Sequence, residues 1–431
     1  LRSAPHIIWP LSFVMPHNAG LRPAWMIWLG LFIYDHLGGR KILPPSYRVD
    51  LQVSRLGKPL KSFLKKAFVY SDCWVEDSRL VVLTAMHAEK YGAKIHNYTS
   101  FVSATEEGDH WLVTLQPQQG ETYTIKAKTI VNAAGPGLQR VAQLIAGDAG
   151  NITPLRLVKG SHIVVPKLYE GEQAYILQNE DRRMIFAIPF EQDYTLIGTT
   201  DRHVDEQEQN PQISDDEIDY LLEAVNIYFA KPVLRTDIVY TYSGIRPLFD
   251  DGSDNNSRVT RDYHLTMSDT PKNKPHVLSV YGGKITTFRR LAEEAVDKIF
   301  KIHGKYKPGW TELSVLPGGN IHRHDMKRFM KRAEIRYPFL PKELIERLSF
   351  TYGTRLHNIV KGCTSMADLG QDFGGVDMGT LTAREIDYLC ENEWAHTADD
   401  ILFRRTRLGM IKGLIDKQAL EDYLSKRERV N

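Results

Sequence analysis

Three basic or titratable side chains stand beside glycine or other small residues, in segments that read as strand ends. They are His162 in the run Lys-Gly-Ser-His, Arg246 in Tyr-Ser-Gly-Ile-Arg-Pro and Lys284 in Gly-Gly-Lys. Arginine offers a planar fork for phosphate or carboxylate, lysine a compact charge, and histidine a proton acceptor near neutral pH. Together they could bind one anion. The alternatives are a histidine packed in the core and an arginine that only ties down a loop.

The lysine belongs to a segment in which a buried strand, a double-glycine turn and the start of a helix follow one another. The strand is 277–281 and the turn is 282–283, and apolar residues recur at helical spacing from Phe288 to Phe300. This spacing predicts an amphipathic helix whose first turn lies near Thr286 and Thr287. Glycines allow close approach to a ligand, and the positive end of a helix dipole attracts anions. The alternative is an ordinary strand-to-helix turn with a surface lysine.

The composition bounds the kind of protein. The chain has 431 residues, 42% of them hydrophobic and 25% charged, with a formal net charge of +2. This is the composition of a globular protein of two or three domains, and it does not favour nucleic acid as a partner. The cysteines Cys73, Cys363 and Cys390 are widely spaced. We therefore expect a reducing compartment, no disulfide framework and no metal site.

Helix and strand signals alternate between about residues 68 and 138, which is typical of an α/β fold. The predicted elements are a helix at 77–91 and strands at 94–102, 111–115 and 122–134. The last strand enters the turn Gly135-Pro136-Gly137, and residues 138–145 then read as a helix. A strand that enters a glycine turn beside a helix commonly lines a cofactor, although a plain turn has the same pattern.

The middle of the chain changes to strand signals separated by polar turns, which predicts an antiparallel sheet. Its strands are 157–165, 174–177, 184–189 and 194–200, followed by a helix at 215–228 and a return strand at 237–242. After Trp310 the sequence consists of charged helical segments. We expect three parts: residues 1–140 with 240–310, an antiparallel domain at 141–239, and a mainly helical domain at 311–431.

An apolar run with tryptophans at 23–34 is about twelve residues long, against the roughly twenty that a membrane-spanning helix needs. It suits either a core helix or a helix at a membrane interface, and we expect the core helix. The basic stretch 327–336 predicts a solvated helix face, with contact to an anionic membrane as the alternative.

Several long segments resemble the FAD-dependent, respiratory type of glycerol-3-phosphate dehydrogenase, and they cover essentially the whole chain. The matching segments are LRPAWM (21–26), YDHL (34–37), YSDCWV (70–75), VNAAGP (131–136), KGSHIVVP (159–166), YILQNED (175–181), IGTTD (197–201), TYSGIRPL (241–248), GGKITT (282–287), SVLPGG (314–319) and RRTRLG (404–409). The resemblance implies a mixed α/β fold. A Rossmann-like FAD-binding domain would be interleaved with an antiparallel substrate domain and followed by a helical domain.

The resemblance also implies an activity. It is the oxidation of sn-glycerol 3-phosphate to dihydroxyacetone phosphate by hydride transfer to FAD, with electrons passed to a membrane quinone. The protein would be cytoplasmic and peripheral on the inner face of the cell membrane, and a homodimer is one option. A glycerol-3-phosphate oxidase that uses oxygen is an alternative, and a flavin-free remnant that acts as a binding module is another.

The resemblance places His162, Arg246 and Lys284 around the substrate. It places eight residues near FAD: Phe101, Val102, Ala134, Gly135, Gly283, Lys284, Ile285 and Thr286. We expect His162 to accept the proton, because its ordinary pKa lies near the working pH. Arg246 would bind phosphate or polarise the alcohol oxygen, and Lys284 would bind the anion or stabilise an alkoxide. Which of the three takes the proton stays open.

One part of the family's pattern is missing. Members open with a strand, a GxGxxG turn and a helix that hold the FAD pyrophosphate, followed by an acidic residue for the ribose. The nearest fragment here, 135–137, lacks the third glycine, and the chain starts at Leu1 without a methionine or a signal-peptide pattern. We therefore expect a remainder of a longer protein that binds FAD weakly or not at all and is prone to poor folding. Normal flavin absorbance would contradict this expectation.

Overall fold

The computed structural model describes residues 1–17, 23–36, 43–147, 153–179, 181, 183–191, 193–205, 210–249, 262–271, 273–375, 379–410 and 413–428. Within the motifs quoted above, Leu21, Arg22, Leu37 and Glu180 lie outside the described residues.

Contacts between residues group the chain into two compact units. The larger unit contains Leu11–Asp72 and Tyr98–Glu312, and the smaller unit contains Leu1–Pro10, Cys73–Asn97 and Leu313–Asn431. The three-part division at residues 140, 239 and 310 stays a prediction.

The strands and helices confirm the mixed α/β class. The strands are β1 Ile8–His17, β2 Tyr47–Asp50, β3 Lys66–Val75, β4 Thr99–Glu107, β5 His110–Pro117, β6 Tyr123–Ala127, β7 Thr129–Asn132, β8 Leu155–Pro166, β9 Ala174–Gln178, β10 Met184–Phe190, β11 Tyr194–Gly198, β12 Arg202–His203, β13 Tyr240–Phe249, β14 His264–Met267 and β15 His276–Tyr281. The helices are α1 Ala24–His36, α2 Asp77–Lys90, α3 Leu138–Gln143, α4 Asp215–Tyr228, α5 Phe288–Ile302, α6 Met326–Arg336, α7 Lys342–Tyr352, α8 Leu356–Ile359, α9 Ala383–Asn392 and α10 Lys417–Glu428.

Among the strands that the structure describes, nine form the largest sheet, which is built around β8. Strands β8, β11, β10 and β9 pair antiparallel in that order, and β9 then pairs parallel with β1. Strand β13 pairs antiparallel with β8 along the whole of Tyr240–Phe249. Because β11 and β12 already pair with the same stretch of β8, β13 must lie along the other edge of β8. The predicted antiparallel sheet is therefore present, and β13 is part of it.

Helix α4 covers one face of this sheet. Its bounds match the predicted helix at 215–228, and Ser214 with Glu217 forms a capping box at its start. Leu221, Val225 and Tyr228 are buried in a cluster that also contains Ile163 of β8. The same helix therefore closes the hydrophobic core and presents its first turn to the strands.

A second sheet contains the parallel pair β7 and β15, with β14 antiparallel at the edge of β15. The predicted single strand at 122–134 is wrong, because it is two strands: β6 pairs with β5, and β7 pairs with β15. A continuous apolar run does not reveal a change of partner, since both strands bury part of their side chains. The predicted strand at 94–102 also starts later, at Thr99.

Helix α1 is not the core helix that we expected. Only Leu31 is buried, whereas six large apolar side chains are between 39% and 65% exposed: Trp25, Met26, Leu29, Phe32, Ile33 and Tyr34. Apolar residues lie on nearly all sides of this helix. One face packs on the protein, so the apolar side chains of the other faces stay exposed. Trp28 stacks on Phe68 with 6.4 Å between the ring centroids.

The smaller unit is mainly helical and has its own core. Helices α7 and α9 supply much of its buried apolar cluster, including Leu348, Tyr352, Ile386 and Leu389. No helix in the described part of the chain combines the length and the apolarity that crossing a bilayer requires.

Candidate active site

His162 and Tyr242 lie directly opposite each other on β8 and β13. Opposed residues of antiparallel strands point to the same face, and the two rings stack with 4.8 Å between their centroids and an interplanar angle of 11°. His162 also pairs across β8 with Gly198 of β11. A Cβ atom at Gly198 would lie 2.1 Å from Cδ2 of His162, so the glycine is what makes room for the imidazole.

Arg246 lies on the same face as His162, four residues further along β13 than Tyr242. Its guanidinium group forms an ion pair with Asp201 and donates a hydrogen bond of 3.3 Å to Oγ1 of Thr199. A Cβ atom at Gly160, between His162 and Arg246 on this face, would lie 2.9 Å from Nη2 of Arg246. The structure therefore brings two of the three predicted substrate residues together.

The environment of His162 favours a neutral imidazole. Burial and, second, the positive charge of Arg246 lower the pKa of His162 from its ordinary value to about 4. Its Nδ1 atom is buried and has no hydrogen-bond partner among the described residues. A neutral imidazole beside a guanidinium group can accept a proton from an alcohol while the arginine binds the charged part of the same molecule.

Lys284 lies in the glycine turn that follows β15. Its Nζ atom is 2.8 Å from Oδ1 of Asp262, and both side chains are largely exposed. A Cβ atom at Gly282 would lie 3.6 Å from the carbonyl oxygen of Pro247, the residue that follows Arg246. The turn thus lies beside the strand that carries Arg246, while the ammonium group itself binds Asp262.

The carboxyl ends of β7 and β15 meet at one edge of their sheet, because the two strands are parallel. Gly135 follows β7 with φ of 58°, and Gly283 follows β15 with φ of 114°. Buried Asn132 shapes the first of these turns, since its side-chain amide donates to the carbonyl of Leu138 at 2.8 Å. Glycine-containing turns at the carboxyl end of parallel strands are the usual binding place of a nucleotide cofactor.

The other residues predicted to approach FAD divide between this edge and the neighbouring sheet. Ala134, Ile285 and Thr286 are exposed at the edge, and the residues Ile285–Thr287 form a 3-10 turn that leads into α5 at Phe288. Phe101 and Val102 lie on β4, at a register shift between Phe101 and Ser103. Phe101 packs on a core with Ile130 of β7 and Val277 of β15, so β4 lies against the parallel pair.

These residues fit a flavin dinucleotide at this edge. A Cβ atom at Gly135 would meet no atom within 4 Å, so the turn is open to a ligand. Ile285 is 45% exposed and Val131 is 46% exposed, which offers apolar surface to a ring system. The start of the 15-residue helix α5 adds the positive end of its dipole.

Sequence reasoning missed several residues that shape the site. Tyr242, Thr199 and Asp201 stand within the quoted motifs but were given no role, and Gly160 and Gly198 were not singled out. Their roles depend on which strands pair and in which register, and no local pattern carries that information. The signal that was available is the run of small residues on either side of each chemical group.

Models of two families match the chain. A model described as FAD dependent oxidoreductase matches residues 1–289, and a model of the C-terminal domain of alpha-glycerophosphate oxidase matches residues 309–425. The chain is 46% identical to a glycerol-3-phosphate dehydrogenase of Pseudomonas aeruginosa, over 98% of this chain and 81% of the relative. It is 45% identical to a D-erythritol 1-phosphate dehydrogenase of Brucella abortus, over 94% of this chain and 80% of the relative.

A solved structure shares the fold. It is the glycerol-3-phosphate dehydrogenase of Bacillus halodurans complexed with FAD, with a TM-score of 0.73 at 23% identity, over 99% of this chain and 77% of that chain. The Escherichia coli aerobic glycerol-3-phosphate dehydrogenase is 42% identical, over 95% of this chain and 80% of the relative.

Proposed function

The chain belongs to the FAD-dependent oxidoreductase family, and from that membership we propose that it oxidises sn-glycerol 3-phosphate to dihydroxyacetone phosphate by hydride transfer to FAD. The observation that carries the proposal is the face of the sheet on which neutral His162 and cationic Arg246 stand side by side. Glycerol 3-phosphate has what this face selects: an alcohol next to a phosphate. The names of the Pseudomonas and Escherichia relatives support the same substrate.

We assign His162 as the proton acceptor. The neutral imidazole can take the proton of the C2 hydroxyl as the hydride leaves carbon, and its ring is fixed by the stack on Tyr242. When bound, FAD supplies the acceptor for the hydride. Gly135, Gly283 and the start of α5 would hold the cofactor, with Ala134, Ile285 and Thr286 beside them and Phe101 and Val102 on β4.

Arg246 binds the phosphate in this proposal. Its guanidinium group donates to Asp201 and Thr199 and carries three further N–H groups for a ligand. Asp201 holds the guanidinium group of Arg246 in one orientation, which lowers the entropy lost when the phosphate binds. Lys284 adds a second positive charge from the turn after β15, and a substrate anion would compete with Asp262 for it.

The experiment supplies purified protein with FAD and follows bleaching of flavin absorbance after addition of glycerol 3-phosphate. His162→Ala should slow bleaching by about 10²–10⁴-fold, the usual contribution of a general base. His203→Ala, on exposed β12, is the matched control and should not change it. An unchanged rate in His162→Ala would contradict the base assignment. No bleaching in an unsubstituted protein whose absorbance shows bound FAD would contradict the activity.

A longer polyol phosphate is the second candidate substrate. The relative named D-erythritol 1-phosphate dehydrogenase is 45% identical, nearly as similar as the Pseudomonas relative at 46%. Both substrates carry an alcohol and a phosphate, so the same pair of side chains suits both. Comparing kcat/KM for the two substrates decides between them.

We propose that a membrane quinone accepts the electrons, with oxygen as the alternative acceptor. The measurement is the amount of peroxide formed per substrate oxidised, with and without a soluble quinone. Stoichiometric peroxide that persists in the presence of quinone would identify an oxidase instead.

We further propose that the protein contacts the inner face of the cell membrane peripherally, through α1. Exposed Trp25 and Phe32 are side chains that bind at a lipid interface, and α1 carries no charged residue between Ala24 and Tyr34. Co-sedimentation with anionic lipid vesicles should fall in Trp25→Ser/Phe32→Ser and not in Ile125→Ser, a matched exposed control on β6. Equal sedimentation of all three proteins would exclude α1 as the contact.

A further inference from the structure

We propose that Glu217 is a positioning residue of the substrate site, which acts from the opposite face of the sheet by fixing the strand and the loop that hold His162 and Arg246. The inference rests on the function proposed for that site. It concerns a side chain that touches neither the substrate nor the cofactor in that proposal.

The carboxylate of Glu217 is the centre of a buried polar cluster. Its Oε1 atom accepts hydrogen bonds from the hydroxyl groups of Thr200 at 2.7 Å and Ser161 at 2.9 Å. Its Oε2 atom lies 3.1 Å from Nζ of Lys159 and accepts from the backbone N–H of Ser214 at 2.9 Å. The side chains of Lys159 and Glu217 are only 5% and 7% exposed.

Two of these partners belong to β8 and alternate with the residues of the substrate face. Successive side chains of a strand point to opposite faces, so Lys159 and Ser161 point to α4 while Gly160 and His162 point to the substrate face. The Ser161 hydroxyl donates its single proton to Glu217, and it therefore accepts from Ser243 of β13, at 2.8 Å. Glu217 is thus linked to both strands that carry the site.

The third partner lies in the loop that holds Arg246. Thr199 and Asp201 bind the guanidinium group, and Thr200 between them points the other way, to Glu217. The backbone N–H of Ser161 donates to Oγ1 of Thr200 at 3.0 Å, which ties the loop to β8. Loss of the carboxylate would release the Thr200 anchor, and the two residues that orient Arg246 would lose their fixed position.

The charge of Glu217 matters as well as its shape. Burial by itself would raise the pKa of Glu217, but hydrogen bonds from Thr200, from the Ser214 backbone, from Ser161 and from Lys159 lower it to about 2. The group is ionised at every pH at which an enzyme of this kind is assayed. Glutamine at this position removes the charge that pairs with Lys159. Its NH2 group can only donate, so one of the two pairs of donors, Thr200 with Ser161 or Lys159 with Ser214, loses its acceptor oxygen.

A purely local role is the competing explanation, because Glu217 also closes the capping box of α4 with Ser214. A cap contributes to helix stability and would not change the chemistry of a histidine on the far side of the sheet. Positioning makes a different prediction, because burial and, second, the positive charge of Arg246 lower the pKa of His162. If the guanidinium group moves away, that pKa must rise.

The experiment compares Glu217→Gln with two companions in the full chain. Thr200→Val removes the hydroxyl that joins the loop to Glu217 and to the backbone N–H of Ser161, and it tests this anchor should Glu217→Gln fail to fold. Asp216→Asn removes a carboxylate from the adjacent, exposed position of α4 and is the matched control. Histidine-selective NMR follows the titration of His162, and the KM and kcat for glycerol 3-phosphate are measured with the same preparations.

We expect the His162 titration to move to higher pH in Glu217→Gln and Thr200→Val and to stay in place in Asp216→Asn. KM should rise by about tenfold or more, since a displacement of about 1 Å in a site can cost up to 10²-fold in rate or binding. Thr200→Ser, which keeps the hydroxyl, should have the His162 titration and the KM of the unsubstituted protein. If His162 titrates at the same pH in all folded variants as in the unsubstituted protein, the inference is overturned, whatever the activity of the variants. An unsubstituted protein that does not oxidise the substrate would overturn the proposed function, and the titration would still decide the role of Glu217.

Discussion

His6 makes the stability of the smaller unit depend on pH in a way that can be calculated. The side chain is completely buried, and neither ring nitrogen has a hydrogen-bond partner among the described residues. Gly318 and Gly353 pack against the ring. A Cβ atom at Gly318 would lie 3.1 Å from Nε2, and a Cβ atom at Gly353 would lie 2.9 Å from Cγ. Burial and, second, the positive charge of Arg79 lower the pKa of His6 from 6.5 to about 3.

The folded protein therefore binds this proton less readily than the unfolded chain does. As the pH falls below 6.5, the unfolded chain takes up the proton first, so the free energy of unfolding decreases. The contribution is complete above pH 6.5 and is lost as the pH falls toward about 3. At about 1.4 kcal/mol per pKa unit, the whole effect is roughly 5 kcal/mol, and about 2 kcal/mol of it is already lost at pH 5.

The test compares urea unfolding of the unsubstituted protein and of His6→Leu at pH 8 and at pH 5. Leucine of similar size cannot take up a proton, so His6→Leu should lose about 2 kcal/mol less between the two pH values. His322→Leu, at an exposed position of the same unit, is the matched control and should behave like the unsubstituted protein. Equal losses in His6→Leu and the unsubstituted protein would show that the imidazole is not held neutral by burial.

Three further predictions concern single contacts. Gly198→Ala would place a Cβ atom 2.1 Å from Cδ2 of His162, so the ring must leave its stack and kcat should fall by about 10²-fold or more in the flavin-bleaching assay. Glu393→Gln leaves the buried guanidinium group of Arg79 without its charged partner, so urea unfolding should show a loss of about 3–5 kcal/mol. With a pKa of about 4, His162 is roughly nine-tenths neutral at pH 5, whereas an ordinary histidine is about 3% neutral. The neutral fraction of His162 falls as the pH drops through about 4, and histidine-selective NMR measures this fraction.

Local patterns predicted much of the fold. The helix at 215–228 matches α4, and the strand, glycine turn and helix of 277–290 match β15, the turn and α5 within a few residues. Each of these elements carries its own signal: a capping residue, a helical repeat of apolar side chains, or a glycine pair after a buried strand. Such signals do not depend on what the element packs against.

What the patterns could not predict depends on partners that are distant in sequence. The apolar run of α1 suggested a core helix, although only one of its side chains is buried, because hydrophobicity alone does not say whether another element covers it. His162 and Arg246 were found from their neighbours, but the glycines that make room for them act across strands. Glu217 gave no signal beyond a capping box, since its partners lie on β8 and in the loop after β11.

The segment Lys159–His162 shows how one strand can serve chemistry and its support at the same time. The ammonium group of Lys159 and the hydroxyl of Ser161 bind Glu217 on one face, whereas Gly160 leaves space for Arg246 and His162 stacks on Tyr242 on the other. All four consecutive residues therefore have separate tasks, and the two-residue period of the strand assigns them to alternate faces. A shift of register by one residue would exchange the faces, bury the imidazole against α4 and expose the lysine at the substrate site. The buried cluster around Glu217 opposes that shift, because it accepts Lys159 and Ser161 only in the register that leaves His162 beside Arg246.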